Sequence, residues 1–242
     1  MPIILRPASF HEDELAFGDS YEGYPLMLSK GPFVKKHLDK IIDVIEASLN
    51  EHPRTYSFRI DLRFPLSLDL PAILKLEKRL IERFIASLRA KIRHARNTAK
   101  RTNPKMHRTN VRYLCTREIG EKGRPHYHLV IFLNRDAFNT LGKYSLERNN
   151  LYSRLIGAWE SALGLESGAG EGLVHIPVNA AYRVSADDTD SQDKLFHRAS
   201  YMAKAATKVR GNRHCFSGSR CTRKKDFTLG PGEAGGLLKS HL

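Results

Sequence analysis

Residues 123–133 read GRPHYHLVIFL, a short turn that runs into an uninterrupted apolar stretch. The apolar part is too short to cross a membrane and has the length and composition of a central strand. Side chains two residues apart on a strand point to the same face, so His126 and His128 lie side by side. Because two imidazoles placed in this way can hold one metal ion, the stretch predicts a strand that presents a pair of ligands.

The preceding segment, residues 111–120, predicts a strand that forms a hairpin with residues 126–134. A three-residue loop that ends in Gly123, in the left-handed conformation, sets Glu118 opposite His126. Glu118 and the two histidines then share one face of the sheet, and the other face is apolar and suited to receiving helices. A two-residue loop would shift the register and move Glu118 to the wrong side.

The spacing of apolar residues predicts the remaining elements. We expect helices at 34–49, 71–92, 148–163 and 194–208, strands at 55–64 and 173–178, and a mobile-looking loop at 186–193. This order contains the ferredoxin-like split βαβ arrangement. The expected fold is therefore α+β: an antiparallel sheet with helices on one face and the active site on the other, open face. We expect an irregular N-terminal arm over 1–30, a single domain over 31–225 and a C-terminal tail over 226–242.

Composition indicates a polyanionic partner. The chain has 242 residues, 41% of them hydrophobic, which is enough for a real core. Its 40 Lys and Arg exceed its 26 Asp and Glu, and the net charge of +14 favours nucleic acid over a membrane surface. No secretion signal or membrane-spanning segment is recognisable, so we expect a cytoplasmic protein. Between residues 89 and 112 there are nine Lys or Arg and no acid, which fits either a phosphate-binding segment or a solvated helix face.

The last predicted helix carries a tyrosine and two lysines on one stripe. Tyr201 and Lys204 are three residues apart, and Lys208 lies four further on. A tyrosine that packs on the sheet beside solvated lysines is the alternative interpretation. Tyr182 is a second candidate nucleophile, but it has no lysine at helical spacing and is expected to pack at a sheet end. His175 alternates with apolar residues and is interpreted as an ordinary strand histidine.

Polar residues also alternate along the first predicted strand of the sheet. Because they are two residues apart, Arg59, Asp61 and Arg63 project to one face of the sheet, where they could contact DNA. Asp61 could also approach the predicted metal ion. The alternative is an exposed network of cross-strand salt bridges. Trp159 recurs at helical spacing with apolar residues and is interpreted as part of the core.

These residues resemble a known family. His126-Tyr127-His128 resembles the histidine-hydrophobe-histidine motif of the HUH endonucleases, and Tyr201-Met202-Ala203-Lys204 resembles the Tyr-x-x-Lys motif of their single-tyrosine replication initiators. Residues 112–134 and 198–220 are particularly similar to the inovirus-type (filamentous-phage-like) replication initiation protein family. Glu118, eight residues before the first histidine, matches the position at which related initiators often carry a carboxylate ligand.

The resemblance implies a rolling-circle replication initiator in a bacterial host cell, which nicks and joins single-stranded or hairpin DNA. His126, His128 and Glu118 would hold Mg²⁺ or Mn²⁺ as a Lewis acid. Tyr201 would attack phosphorus and form a 5′-phosphotyrosine, while Lys204 would stabilise the developing negative charge. No Walker-type loop is present, so a separate host helicase and polymerase are expected. The further residues expected to bind DNA are Arg59, Arg63, Arg124, Lys208 and Arg210.

Two alternatives to replication initiation stay open at this point. One is an HUH transposase-like strand transferase, which uses the same chemistry; relaxases are disfavoured because they usually carry the tyrosine before the histidines. The other is a non-catalytic nucleic-acid-binding module that stacks bases on a ferredoxin-like sheet, although no RNP-like aromatic pattern is found.

Overall fold

The structure is a computed structural model that describes residues 11–120, 123–207 and 215–221. Helices and strands alternate along this part of the chain, and the fold is α+β, as expected. None of its helices has the length and apolar character needed to span a membrane. The helices are α1 (Lys35–Glu51), α2 (Leu70–Leu76), α3 (Leu80–Thr102), α4 (Leu151–Leu163) and α5 (Thr189–Ser200). The strands are β1 (Leu15–Ala16), β2 (Ser20–Tyr21), β3 (Tyr24–Pro25), β4 (Phe33–Val34), β5 (Arg54–Leu62), β6 (Arg112–Ile119), β7 (Pro125–Asn134), β8 (Val174–His175), β9 (Ala181–Ser185) and β10 (Phe216–Gly218).

The main sheet is antiparallel and has β7 near its centre. Its order is β10-β6-β7-β5, and the outer edge of β5 pairs with both β8 and β9. The strand predicted at 173–178 is therefore reduced to the two residues of β8. A second strand, β9, pairs with the rest of the same edge of β5. Asn179, with φ of +54°, lies in the break between the two pieces. An edge strand interrupted in this way carries too short an alternation for its period to be recognised in the sequence.

The predicted hairpin register is confirmed. Glu118 pairs with His126, and Gly123 adopts a φ of +72°. The Gly120 amide donates to the Arg124 carbonyl at 2.9 Å and closes the pairing just before the turn. Of the two loop lengths considered, the observed pairing matches the three-residue loop, and with that length the period of two decides which side chains share a face.

Helices cover both faces of the sheet, so the expectation of one open face was wrong. The first core cluster joins α3 and α4 to one face, through residues such as Phe58 and Leu129. The second joins α1 and α5 to the histidine-bearing face, through Leu114, Val130 and Phe132. This second layer also explains why β5, predicted to be half-buried, is buried from Thr55 to Leu62. The two histidines lie toward one end of this face, on the opposite side of Val130 from Phe132.

Two predicted helices have different bounds in the structure. The helix expected at 71–92 is divided at Arg79, whose φ of +59° separates α2 from α3. The helix expected at 194–208 starts earlier, because the Asp188 side chain accepts a hydrogen bond from the Ser191 amide and caps it. The loop predicted at 186–193 therefore contains the first turn of α5. At its other end α5 stops at Ser200, before the tyrosine.

The segment expected to be an irregular arm packs against the second core cluster. Strand β1 pairs with β4, and β2 pairs with β3. Ala16 and Leu26 are buried under α1 and α5. Residues 1–10 and the expected tail at 226–242 lie outside the described residues.

Candidate functional site

Three side chains converge at the end of the histidine-bearing face. Single ligand atoms of Glu118, His126 and His128 all lie within 4.8 Å of one another. The Nε2 atoms of the two histidines are 3.1 Å apart, and His128 Nε2 lies 3.4 Å from Glu118 Oε2. Strand pairing produces this convergence, since Glu118 on β6 stands directly opposite His126 on β7.

The geometry and chemistry of this cluster fit a small divalent cation. Donor atoms that share one octahedral ion at about 2.1 Å lie about 3 Å apart, close to the 3.1 Å and 3.4 Å between His128 Nε2 and the other two donors. Two imidazoles and a carboxylate suit Mn²⁺ and still permit Mg²⁺. Burial and the neighbouring His128 lower the pKa of His126, which favours the neutral imidazole that a metal requires. Metal-ligand chemistry is therefore available at the positions that the sequence predicted.

Asp61 lies behind His128 and orients it. Its Oδ1 atom is 2.5 Å from His128 Nδ1, so an Nδ1–H donor would direct the Nε2 lone pair into the cluster. Burial alone would lower the pKa of His128, but hydrogen bonds to Asp61 and Glu118 outweigh it and raise that pKa. Burial likewise opposes ionisation of Asp61, yet His128 and Arg59 hold the pKa of its carboxyl well below the usual range.

Arg59 belongs to the same buried group. Its guanidinium lies 3.2 Å from Asp61 Oδ1 and 3.1 Å from His128 Nδ1. When His128 Nδ1 is protonated, it and the Arg59 guanidinium are both hydrogen-bond donors and cannot bond to each other. Both then donate to Asp61 Oδ1. The guanidinium also lies over the Tyr201 ring, 5.1 Å from its centroid. Arg59 was expected to bind DNA, but it is 9% exposed and instead supports the site from within.

A single lysine connects the tyrosine to the carboxylate of the cluster. Lys204 Nζ donates to the Tyr201 hydroxyl at 2.6 Å and lies 3.2 Å from Glu118 Oε2. Glu118 is buried and the Lys204 side chain is nearly so, which strengthens this charge pair. The Tyr201 ring also stands edge-on to His128, with centroids 6.0 Å apart. The candidate nucleophile and the candidate metal ligands thus form one site.

Tyr201 and Lys204 meet for a reason that differs from the predicted helical stripe. A short 3₁₀ turn spans Tyr201–Ala203, and Lys204 then adopts an extended ψ of 132°. The N-terminal segment holds this bend: the Met27 amide donates to Ser200 Oγ, and the Ala205 amide donates to the Pro32 carbonyl. Packing against residues far away in sequence therefore sets the position of the pair.

The other residues expected to bind DNA have different outcomes. Arg63 is exposed just beyond the end of β5. Arg124 donates to the carbonyls of Leu68 and Pro65, and so fixes the loop before α2. Lys208 and Arg210 lie outside the described residues.

Two further residues near the site have surroundings that sequence reasoning missed. His175, interpreted as an ordinary strand residue, pairs with Asp61 across β5 and β8 and places Nδ1 3.4 Å from its Oδ2 atom. No signal in the sequence indicated this pairing, because β8 has only two residues. Tyr182, the alternative nucleophile, packs against the second core cluster, and burial raises its pKa.

The fold and site define an α+β protein with a candidate His₂Glu metal centre beside a lysine-bound tyrosine. The chain belongs to the YagK/YfjJ C-terminal domain family, whose model matches residues 18–219. It is 34% identical to the uncharacterized protein YfjJ of Escherichia coli K12 over 191 residues, which cover 75% of this chain and 92% of YfjJ. It is 33% identical to the uncharacterized protein YagK of the same strain over 188 residues, covering 75% and 90% of the two chains. No solved structure matches the chain significantly.

Proposed function

We propose that this protein is an HUH-type endonuclease that initiates rolling-circle replication by metal-dependent nicking and joining of DNA. The observation that carries the proposal is the Lys204 ammonium, which contacts both the Tyr201 hydroxyl and the Glu118 carboxylate of the His₂Glu cluster. If Tyr201 only packed on the sheet beside solvated lysines, no nearly buried lysine would be needed between these two groups.

The sheet order supports the ferredoxin-like part of the proposal. In the segment from β5 to β9, the first strand β5 lies between the third strand, β7, and the fourth, formed by β8 and β9. The second strand, β6, lies outside β7. Helices α2 and α3 connect the first and second strands, and α4 connects the third and fourth. This order supports the split βαβ arrangement, and every neighbouring pair of strands in it is antiparallel.

The proposed reaction is a transesterification at phosphorus. A divalent ion held by His126, His128 and Glu118 would polarise the scissile phosphate. The Tyr201 oxygen forms a bond to phosphorus and loses its proton to solvent, while the 3′-oxygen leaves and takes up a proton to become a 3′-hydroxyl. Lys204 stabilises the negative charge on the tyrosine oxygen and on the phosphate, because its ammonium already contacts that oxygen. The 5′-phosphotyrosine retains the bond energy for rejoining, so no nucleotide triphosphate is consumed.

The proposed partner is single-stranded or hairpin DNA, in agreement with the net charge of +14. Because no Walker-type loop is present in the sequence, strand separation and synthesis fall to a separate helicase and polymerase.

The test is formation of a covalent adduct. The protein is incubated with Mn²⁺ and a pool of single-stranded and hairpin DNA, including DNA from the genetic element that encodes it, and SDS-resistant protein–DNA bands are counted. We expect an adduct that EDTA abolishes and that Tyr201→Phe and His126→Ala both lack. Tyr182→Phe is the matched control, since Tyr182 is a half-buried tyrosine without a lysine partner among the described residues.

The possible failures of this test are informative in different ways. An adduct that survives Tyr201→Phe but not Tyr182→Phe would refute the assigned nucleophile. Tight binding that is insensitive to EDTA, with no adduct on any DNA in the pool, would favour a non-catalytic binding module.

A further inference from the structure

A basic cleft lies at the opposite end of the sheet from the candidate active site. It has a volume of about 1040 Å³ and is formed by the C-terminal half of α3, the loop after it, and the start of β6 beside β10. Arg112 at the cleft and Glu118 at the site are six positions apart on β6, which is roughly 20 Å at about 3.3 Å per residue. The two regions are therefore separate sites toward opposite ends of β6.

The charge of this cleft is strongly positive and only partly neutralised. Both carboxylates that line it are occupied: Glu51 binds Arg112 and Asn110, and Glu82 binds Arg79. Among the described residues, seven cationic side chains line the cleft, namely Arg89, Arg93, Arg96, Lys100, Arg108, Arg112 and Arg220. The cleft thus presents more positive charge than its own acids can neutralise.

The cationic side chains divide into two groups. Arg89 and Arg96 build the cleft: Arg89 donates to the Val111 carbonyl at 3.0 Å, and Arg96 donates to the carbonyls of His107 and Ala137. Four others are exposed and make no side-chain hydrogen bond or ion pair with any residue that the structure describes. These four are Arg93, Lys100, Arg108 and Arg220. Two arginines therefore hold a preformed wall on which four charges are available to a ligand.

We infer that this cleft is a second DNA-binding site, which holds the phosphate backbone of the DNA at a distance from the nick. This inference rests on the proposed function for the identity of the polyanion. Phosphates spaced along a strand suit several arginines and lysines distributed over a wall, whereas one small anion would need a single convergent pocket. A separation of roughly 20 Å corresponds to about six base pairs of duplex at 3.4 Å each. The stem of a hairpin could therefore reach the cleft while its single strand lies at Tyr201.

The test uses three charge-neutralising substitutions, Arg93→Gln, Lys100→Gln and Arg108→Gln, combined in one variant. The matched control, Lys143→Gln, Arg148→Gln and Arg183→Gln, removes the same charges from exposed positions that do not line the cleft. Binding to a fluorescein-labelled 30-nucleotide hairpin is measured by anisotropy at several KCl concentrations without divalent metal. Phosphate contacts do not depend on sequence, so the cognate origin is not needed for this measurement.

The expected result is a change in the salt dependence of binding. The slope of log Kd against log[KCl] should fall by about 2 to 3 in the cleft variant, since each lost phosphate contact contributes about 0.9 on duplex DNA. The control should change it by less than about 1. Equal slopes for the wild type and the cleft variant, or equal losses in variant and control, would overturn the inference. Failure of the proposed function would appear elsewhere, as a wild type that binds the hairpin but forms no adduct with Mn²⁺ on any DNA of the pool, including DNA from its own genetic element.

A second measurement uses the wild type and so does not depend on folding of the variant. Acetylation of lysines is mapped by mass spectrometry with and without the hairpin. DNA should protect Lys100 and leave Lys143 reactive, since both are exposed in the free protein. Unchanged acetylation of Lys100, or its protection by poly-glutamate but not by DNA, would overturn the assignment to nucleic acid.

Discussion

Removal of the Asp61 charge should weaken metal binding without removing any ligand. Asp61 Oδ1 lies 2.5 Å from His128 Nδ1, and the Asp61 side chain is 10% exposed. A hydrogen bond to a charged group of this kind contributes about 1.5–3 kcal/mol. Loss of a carboxylate behind a histidine ligand typically lowers metal affinity about 10- to 100-fold. We therefore expect Asp61→Asn to raise the Kd for Mn²⁺ by about this factor, since an amide keeps the acceptor but not the charge.

The assay is isothermal titration of Mn²⁺ into the protein in the Tyr201→Phe background, which prevents covalent chemistry. Asp61→Ala should be at least as weak as Asp61→Asn, because it removes the acceptor as well. Asp136→Asn is the control, since Asp136 pairs with Arg54 at the other end of β7. A Kd for Asp61→Asn equal to that of the wild type would refute the orienting role of Asp61. A similar loss in Asp136→Asn would show a general effect of charge.

Three further outcomes follow from particular contacts. Lys204→Met should slow adduct formation on an SDS gel about 100-fold or more, and Lys204→Arg should slow it less. Equal rates for Lys204→Met and the wild type would exclude Lys204 from the reaction. Trp159→Ala should lower the free energy of unfolding, measured in urea, by about 3–5 kcal/mol. The substitution leaves a cavity at a fully buried position and removes the indole donor of the Arg63 carbonyl. A loss below about 1 kcal/mol would contradict this packing. Burial would raise the pKa of Glu51, but hydrogen bonds from Asn110 and Arg112 outweigh it and lower that pKa in the folded state. The ionised Glu51 therefore stabilises the fold above pH 4.5, and this contribution is lost as the pH falls through the folded pKa. The difference in unfolding free energy between the wild type and Glu51→Gln should therefore shrink from pH 7 to pH 3.5, and a difference that grows would reverse the sign assigned here.

The central hairpin could be predicted because its determinants are local. A three-residue loop with Gly123 in the left-handed conformation sets the register, and the period of two then places Glu118 with the histidines. Helix α1 was predicted almost to its ends, because its apolar spacing is long and regular.

The coverage of the sheet was predicted incorrectly because alternation was given too much weight. Arg59 and Asp61 alternate with apolar residues on β5, a pattern typical of an exposed face. Both are buried, because each has a charged partner that compensates for lost hydration. The partner of Arg59 is Asp61 on the same strand, but the partner of Asp61 is His128 on β7, which no window of sequence along β5 contains.

The sequence by itself determined which side chains could do chemistry: two histidines and a glutamate on a hairpin, and a tyrosine three residues before a lysine. Only the tertiary structure decided that these two groups form one site. Lys204 reaches Glu118 because α5 ends at Ser200 and residues 27–33 hold the following bend. Asp61 stands behind His128 because β5 pairs with β7. These contacts join residues tens to more than a hundred positions apart, and their geometry arises from packing of the whole sheet and its two helical layers, which no local period encodes.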